Sequence, residues 1–83
     1  MPVSNTNIVE RIARVIAGRV VSINAEGDDP SAGPQVDAIW RDYRDDALSV
    51  IRTLREPDAA MAEAGDPAIW ERMIEAALAE AGA

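Results

Sequence analysis

Apolar residues recur every three or four positions along almost the whole of this chain, which is the spacing of one face of an α-helix. Two segments rich in proline, glycine and aspartate interrupt the pattern and mark turns between helices. We therefore predict an all-α fold, a small antiparallel bundle of three long helices and one short helix. With 83 residues, the chain has the size of a single domain, 1–83. The predicted helices cover about residues 6–24, 35–55, 57–64 and 67–81.

The first predicted helix has more apolar surface than one neighbouring helix can cover. Arg11, Arg14, Gly18 and Ser22 form a narrow polar stripe, and most of the remaining circumference is apolar. In so small a domain, a second covered side usually belongs to another subunit. We therefore predict a homo-oligomer, with a dimer favoured, that is closed through helix 1. The candidate interface residues are Ile8, Val9, Ile12, Val15, Ile16 and Val20.

The end of this helix allows an alternative. Val20, Val21 and Ile23 are β-branched, and Gly18 weakens a helix, so an extended segment from Val20 to Ile23 competes with helical structure.

Two acidic segments raise the question of metal binding. Residues 25–34 combine turn-forming residues with Asp28 and Asp29, which predicts a flexible acidic loop, but the alternating ligands and closing Glu of an EF-hand are missing. Asp42 and Asp46 share one face of the second predicted helix, where a salt-bridged solvent face explains them better than a cation site of two carboxylates. We expect no metal site.

The last two predicted helices are joined by clear start and stop signals. Pro57 suits the first turn of a helix, Gly65 predicts a left-handed C-terminal cap, and Asp66 with Pro67 predicts an N-cap followed by the first helical residue.

Aromatic and Met side chains on these helices and on the second helix either fill the core or line an adaptable apolar groove. This candidate cluster comprises Trp40, Tyr43, Met61, Trp70 and Met73.

The composition argues against common enzyme chemistry and against nucleic-acid binding. The chain has no His, Cys or Lys, the side chains that most often serve as bases, nucleophiles and phosphate ligands near neutral pH. Its net charge is −7, whereas a nucleic-acid binder needs a basic surface. The charge is uneven, with +2 in residues 1–24, −3 in residues 25–55 and −6 in residues 56–83. We predict no enzyme activity, no catalytic residue, no cofactor and no nucleic-acid partner.

Residues 55–78 carry a specific pattern. Arg55-Glu56-Pro57-Asp58-Ala59-Ala60-Met61-Ala62-Glu63-Ala64-Gly65 is followed by Trp70-Glu71-Arg72-Met73-Ile74-Glu75-Ala76-Ala77-Leu78. This segment resembles the C-terminal signature R-E-P-x-x-A-M-x-E-A-G and W-x-x-M-I-x-A-A-L of short helical proteins of bacteria and their phages. Residues 10–14 resemble the N-terminal E-R-V-A-R of those proteins more loosely. The resemblance implies a shared helical fold in a family without an established activity, and hence a phage-like or prophage-like protein.

Together these observations predict a small non-catalytic helical protein that acts through self-association and protein–protein interaction. The alternative is a helical bundle that binds a small apolar or cationic ligand between Trp40, Tyr43 and Trp70. No apolar run is long enough for a membrane span, and the N-terminal residues lack the order of a signal peptide. We therefore expect no membrane partner and a cytoplasmic location.

Overall fold

The structure is a computed structural model, and it describes residues 3–24 and 32–81. All regular secondary structure within these residues is helical, without a strand, which confirms the all-α prediction. None of the described helices combines the length and the apolar character needed to cross a membrane. In chain order the elements are α1 (Ile8–Asn24), α2 (Ala32–Ile39), a 3₁₀ turn (Trp40–Tyr43), α3 (Arg44–Leu54), α4 (Ala59–Ala64) and α5 (Pro67–Glu80).

A single stripe of α1 forms the centre of the core. Val9, Ala13, Ala17 and Val21 follow one another at four-residue steps, and all four are buried. The side chains of Ala13 and Ala17 are single methyl groups, so neighbouring helices can approach the α1 backbone closely at these positions. Helix α1 accordingly contacts α2, the 3₁₀ turn and α3.

Helix α1 is continuous from its N-cap to Asn24. The Asn7 Oδ1 atom accepts a hydrogen bond from the Glu10 backbone N–H at 2.8 Å, which satisfies one of the donors left unpaired at a helix start. Of the two alternatives for Val20 to Ile23, the helix is correct, because α1 runs through Gly18 without interruption.

The prediction of one continuous helix over residues 35–55 is wrong. The structure divides this segment into α2, the 3₁₀ turn and α3. A 3₁₀ helix has three residues per turn, so it places Trp40 and Tyr43 on the same side, where both side chains pack against the core. An α-helix would rotate these two aromatic rings apart by about 60°.

The predicted loop over residues 25–34 is too long at its C-terminal end. Residues 25–31 lie outside the described residues, but α2 already begins at Ala32. Pro34 therefore lies in the first turn of α2, where the missing proline N–H removes no intrahelical hydrogen bond. A proline that predicts a loop from sequence is equally suited to the start of a helix.

Helices α3 and α5 are fastened to each other at both ends. At one end, an Arg44 guanidinium N–H donates to the Ala81 carbonyl oxygen. At the other end, Trp70 Nε1 donates to the Leu54 carbonyl oxygen at 2.6 Å. The first residues of α3 thus lie beside the end of α5, and the last residues of α3 lie beside its start. Between these hydrogen bonds, the buried core residues of the two helices are Ala47, Leu48, Ile51, Ile74 and Leu78.

Helix α4 contributes no buried residue to the fold. It begins at Ala59, two residues later than predicted, after the Asp58 side chain accepts a hydrogen bond from the Met61 N–H at 3.0 Å. The prediction of a left-handed Gly65 cap is wrong, because Gly65 has extended backbone angles of φ −156° and ψ −153°. The described part of the chain measures 41 × 27 × 24 Å, and its radius of gyration of 15.0 Å exceeds the roughly 12 Å of a compact domain of about this size.

Candidate functional site

Two apolar surfaces remain uncovered in the described part of the chain. The first, which we call the α1 surface, combines four residues of α1 with one residue of α3. Val15 is 66% exposed and Val50 is 43% exposed, whereas the other three members are half-buried. The exposed Arg11 borders the apolar residues. The α1 surface comprises Ile8, Ile12, Val15, Ile16 and Val50.

The α1 surface overlaps the predicted oligomer interface, but two of the six predicted residues do not belong to it. Val9 is only 2% exposed and belongs to the core, so it cannot contact a partner. Val20 is half-buried and does not line this surface. The four remaining candidates, Ile8, Ile12, Val15 and Ile16, lie together as expected for one side of a helix.

Val50 is the member of the α1 surface that the sequence did not predict. In a continuous helix, Val50 follows the core residues at helical spacing, which places it inside. The 3₁₀ turn has fewer residues per turn than an α-helix, so it rotates the side chains of α3 about the helix axis relative to those of α2. Val50 consequently lies at the rim of the core. The sequence contains no signal strong enough to locate this rotation.

The second surface is a groove between α4 and α5, which we call the α4–α5 groove. Its exposed apolar side chains are Met73 at 59%, Ile69 at 46% and Met61 at 39%. The indole of Trp70 is half-buried, and its Nε1 atom is held by the Leu54 carbonyl oxygen. The groove is lined by Pro57, Met61, Ala64, Gly65, Asp66, Pro67, Ile69, Trp70 and Met73.

Local sequence signals hold the two walls of the groove together. Only Gly65 and Asp66 separate α4 from α5. The Gly65 N–H donates to the Met61 carbonyl oxygen at 3.2 Å. The Asp66 carboxylate accepts from the N–H groups of Ala68 and Ile69 at 2.9 and 3.4 Å, with Pro67 as the first residue of α5. The groove is therefore shaped by the turn and by helix capping rather than by burial of α4.

The predicted cluster of aromatic and Met residues is divided between two places. Trp40 is 8% exposed and Tyr43 is half-buried, and both pack against the core. Met61, Trp70 and Met73 line the α4–α5 groove, which neither Trp40 nor Tyr43 reaches. The described residues therefore do not bring the five side chains into one site.

Cationic side chains of the protein already lie over the Trp40 ring. The guanidinium carbon of Arg41 is 4.6 Å from the ring centroid and that of Arg14 is 5.2 Å away, so both make cation–π contacts. Arg14 also forms ion pairs with Asp37 and with Glu10, the latter at 2.9 Å. The hydrogen bond from Arg14 to Asp37, and then the one to Glu10, raise the pKa of Arg14. A cationic ligand would have to displace these groups.

The two surfaces lie in regions of opposite charge. Residues 1–24, which include most of the α1 surface, carry +2. Residues 56–83, which include the α4–α5 groove, contain seven carboxylates and one Arg and carry −6. Asp66 lies in the groove itself. The carboxylates of this region are all exposed, namely Glu56, Asp58, Glu63, Asp66, Glu71, Glu75 and Glu80.

Within residues 3–24 and 32–81, no three acidic side chains gather closely enough to hold a metal ion. The same residues include no buried charged or polar side chain.

In comparisons with known proteins, the chain matches no family model, no curated protein and no solved structure. The resemblance of residues 55–78 to bacterial and phage proteins therefore stays a prediction.

Proposed function

We propose that this chain is a small non-catalytic helical protein that acts through self-association and protein–protein interaction. The observation that carries this proposal is the α1 surface. Its apolar side chains continue around α1 beyond the stripe that the core buries, and Val15 and Val50 are left in water. Exposed apolar residues that cluster in this way mark interaction surfaces, because covering them in an interface removes apolar area from water.

The contacts of the carboxylates support a structural role for them. Asp58 and Asp66 cap α4 and α5, and Glu10 and Asp37 hold Arg14. A carboxylate that serves as a catalytic acid near neutral pH usually has a raised pKa caused by burial. Exposed acids at helix starts and in ion pairs are suited instead to stability, solubility and electrostatic recognition of partners.

We also propose that the long helices pack as an antiparallel bundle. The pairing of Arg44 with Ala81 and of Leu54 with Trp70 supports opposite directions for α3 and α5. Helices α1 and α2 meet near Gly18, where a Cβ atom added to the glycine would lie 3.9 Å from the Val36 Cγ2 atom. Earlier residues of α1 lie beside Val50, which supports opposite directions for α1 and the segment from α2 to α3.

Light scattering on the purified protein at tens of micromolar tests the self-association. We expect a mass of twice the 8.9 kDa of one chain. Val15→Glu places a charge on the α1 surface and should shift the mass toward the monomer, since burying an unpaired charge in an interface is costly. Val3→Glu is the matched control, because Val3 is 91% exposed and lies outside the surface. A monomeric wild-type protein would contradict the proposed function.

A further inference from the structure

We propose that the α1 surface of one copy of this chain packs into the α4–α5 groove of a second copy. This inference rests on the proposed self-association and specifies which two surfaces meet. It differs from the expectation from sequence, in which helix 1 alone closes the oligomer. The occupant of the groove is thus a helix of the same protein.

Charge complementarity selects this pairing over the two symmetric ones. Packing one α1 surface on another would bring two regions of charge +2 together, each with an exposed Arg11 at its border. Packing one groove on another would oppose two regions of charge −6. Only the mixed pairing brings a basic region against an acidic one, which lowers the electrostatic free energy of the complex and speeds its association.

The side chains of the two surfaces are also suited to each other. Ile8, Ile12 and Val15 are spaced at i, i+4 and i+7, which is the arrangement by which an amphipathic helix enters an apolar groove. Met61 and Met73 on the receiving side have flexible, unbranched side chains that adapt to branched aliphatic groups. Arg11 lies next to the apolar residues of the α1 surface, and Asp66 lies within the groove, so each surface has one charged residue, and the two charges are opposite.

The mixed pairing is compatible with a closed dimer. When two copies are related by a twofold axis, each α1 surface can occupy the groove of the other copy, and the same contact forms twice. Four apolar surfaces are then covered in one assembly. The contact explains in this way why both surfaces are exposed in a single chain.

The test uses two full-length variants that each disable one surface. Val15→Glu disables the α1 surface and keeps the groove, whereas Met73→Glu disables the groove and keeps the α1 surface. Each variant alone should associate about 30-fold or more weakly than the wild type, since a disrupted central contact typically has an effect of this size. An equimolar mixture should associate more tightly than either variant alone and more weakly than the wild type, because a mixed dimer keeps one of the two contacts, between an unchanged α1 surface and an unchanged groove. Light scattering measures the mass in each case.

Matched controls separate the surfaces from the added charge. Val3→Glu and Ala68→Glu add the same carboxylate at exposed positions outside the two surfaces and should keep the wild-type mass. Circular dichroism should show wild-type helix content in all variants, because every substituted side chain is exposed. The dimer of the wild type should also weaken as salt is raised, because opposite charges attract across the interface.

The possible failures are distinguishable. A monomeric wild type contradicts the proposed function and this inference together. A dimeric wild type with a dimeric Met73→Glu variant contradicts only the inference, and shows that the groove is not part of the contact. A mixture of the two variants that associates no more tightly than either variant alone, or a wild-type dimer that is unchanged or strengthened by salt, also contradicts the pairing.

Discussion

The N-terminal part of the molecule, from α1 to α3, and its C-terminal arm, α4 and α5, use the same apolar spacing in different ways. In the first part, α1 is surrounded by α2, the 3₁₀ turn and α3, and all four residues of its central stripe are buried. In the arm, α4 buries nothing and α5 buries only Ile74 and Leu78, both in its second half. The helical spacing of apolar residues therefore identifies a helix, but it does not show how much of the helix surface is buried by the rest of the chain.

The two regions consequently depend on different interactions. Packing against α1 dominates the N-terminal part, where Ala13, Ala17, Ala47 and Ile51 have no exposed surface. The start of the arm depends on hydrogen bonds. The Asp58 and Asp66 side chains cap the two helices, the Gly65 N–H donates to the Met61 carbonyl oxygen, and Trp70 Nε1 donates to the Leu54 carbonyl oxygen. Truncating an apolar side chain should therefore lower the free energy of unfolding strongly in the N-terminal part and only slightly at the start of the arm.

The largest expected effect comes from Ile51→Ala. The Ile51 side chain is fully buried between helices, so its truncation removes apolar contacts and leaves a cavity, with an expected loss of about 2–5 kcal/mol in the free energy of unfolding. Ile69→Ala makes the same change at a residue that is 46% exposed, and the expected loss is below about 1 kcal/mol.

Urea denaturation of both variants in the Val15→Glu background measures the difference without a contribution from dimerisation. Equal losses at the two positions would contradict the contrast between the regions, because they would show that the start of α5 is as well packed as the centre of α3.

Ala13→Leu tests the close approach of helices at the small residues of α1. The Ala13 methyl group is completely buried, so three additional carbon atoms must displace neighbouring side chains. We expect a loss of about 1–3 kcal/mol in the free energy of unfolding. Ala68→Leu adds the same atoms at an exposed position of α5 and should change the free energy by less than about 0.5 kcal/mol. An Ala13→Leu protein as stable as the wild type in urea would show that α1 is loosely packed.

These contrasts also mark what the sequence could and could not predict about the fold. The helical spacing of apolar residues predicted the ends of α1 and α5 to within two residues, because the amphipathic pattern and the capping residues indicate the same helix ends. The 3₁₀ turn at Trp40 was missed, since its residues continue the apolar spacing of their neighbours and only the packing of Trp40 and Tyr43 favours the tighter turn. The start of α2 was missed because Pro34 is compatible with both a loop and a first helical turn.

The candidate surfaces were predicted less completely than the helices. Residues on one side of α1 could be grouped by their spacing, but the covered side could not be distinguished from the open one, so Val9 was included and Val50 was not. The groove residues Met61, Trp70 and Met73 were predicted as members of the cluster of aromatic and Met side chains. Their separation from Trp40 and Tyr43 depends on how the arm joins α3, which is a tertiary contact with no local pattern.

The smallest effect is expected from the helix caps of the arm. Asp66→Ala removes the acceptor for two N–H groups at the start of α5 and should lower the free energy of unfolding by about 1 kcal/mol. Asp58→Ala removes the equivalent acceptor at α4, but the loss should be smaller because α4 buries no residue and can fray without unfolding the core. Asp66→Asn keeps an oxygen acceptor and should retain most of the wild-type stability. Hydrogen exchange at the Met61, Ala68 and Ile69 amides measures each cap directly. If Asp66→Asn were as unstable as Asp66→Ala, the negative charge at the start of α5, rather than the capping hydrogen bonds, would stabilise the arm.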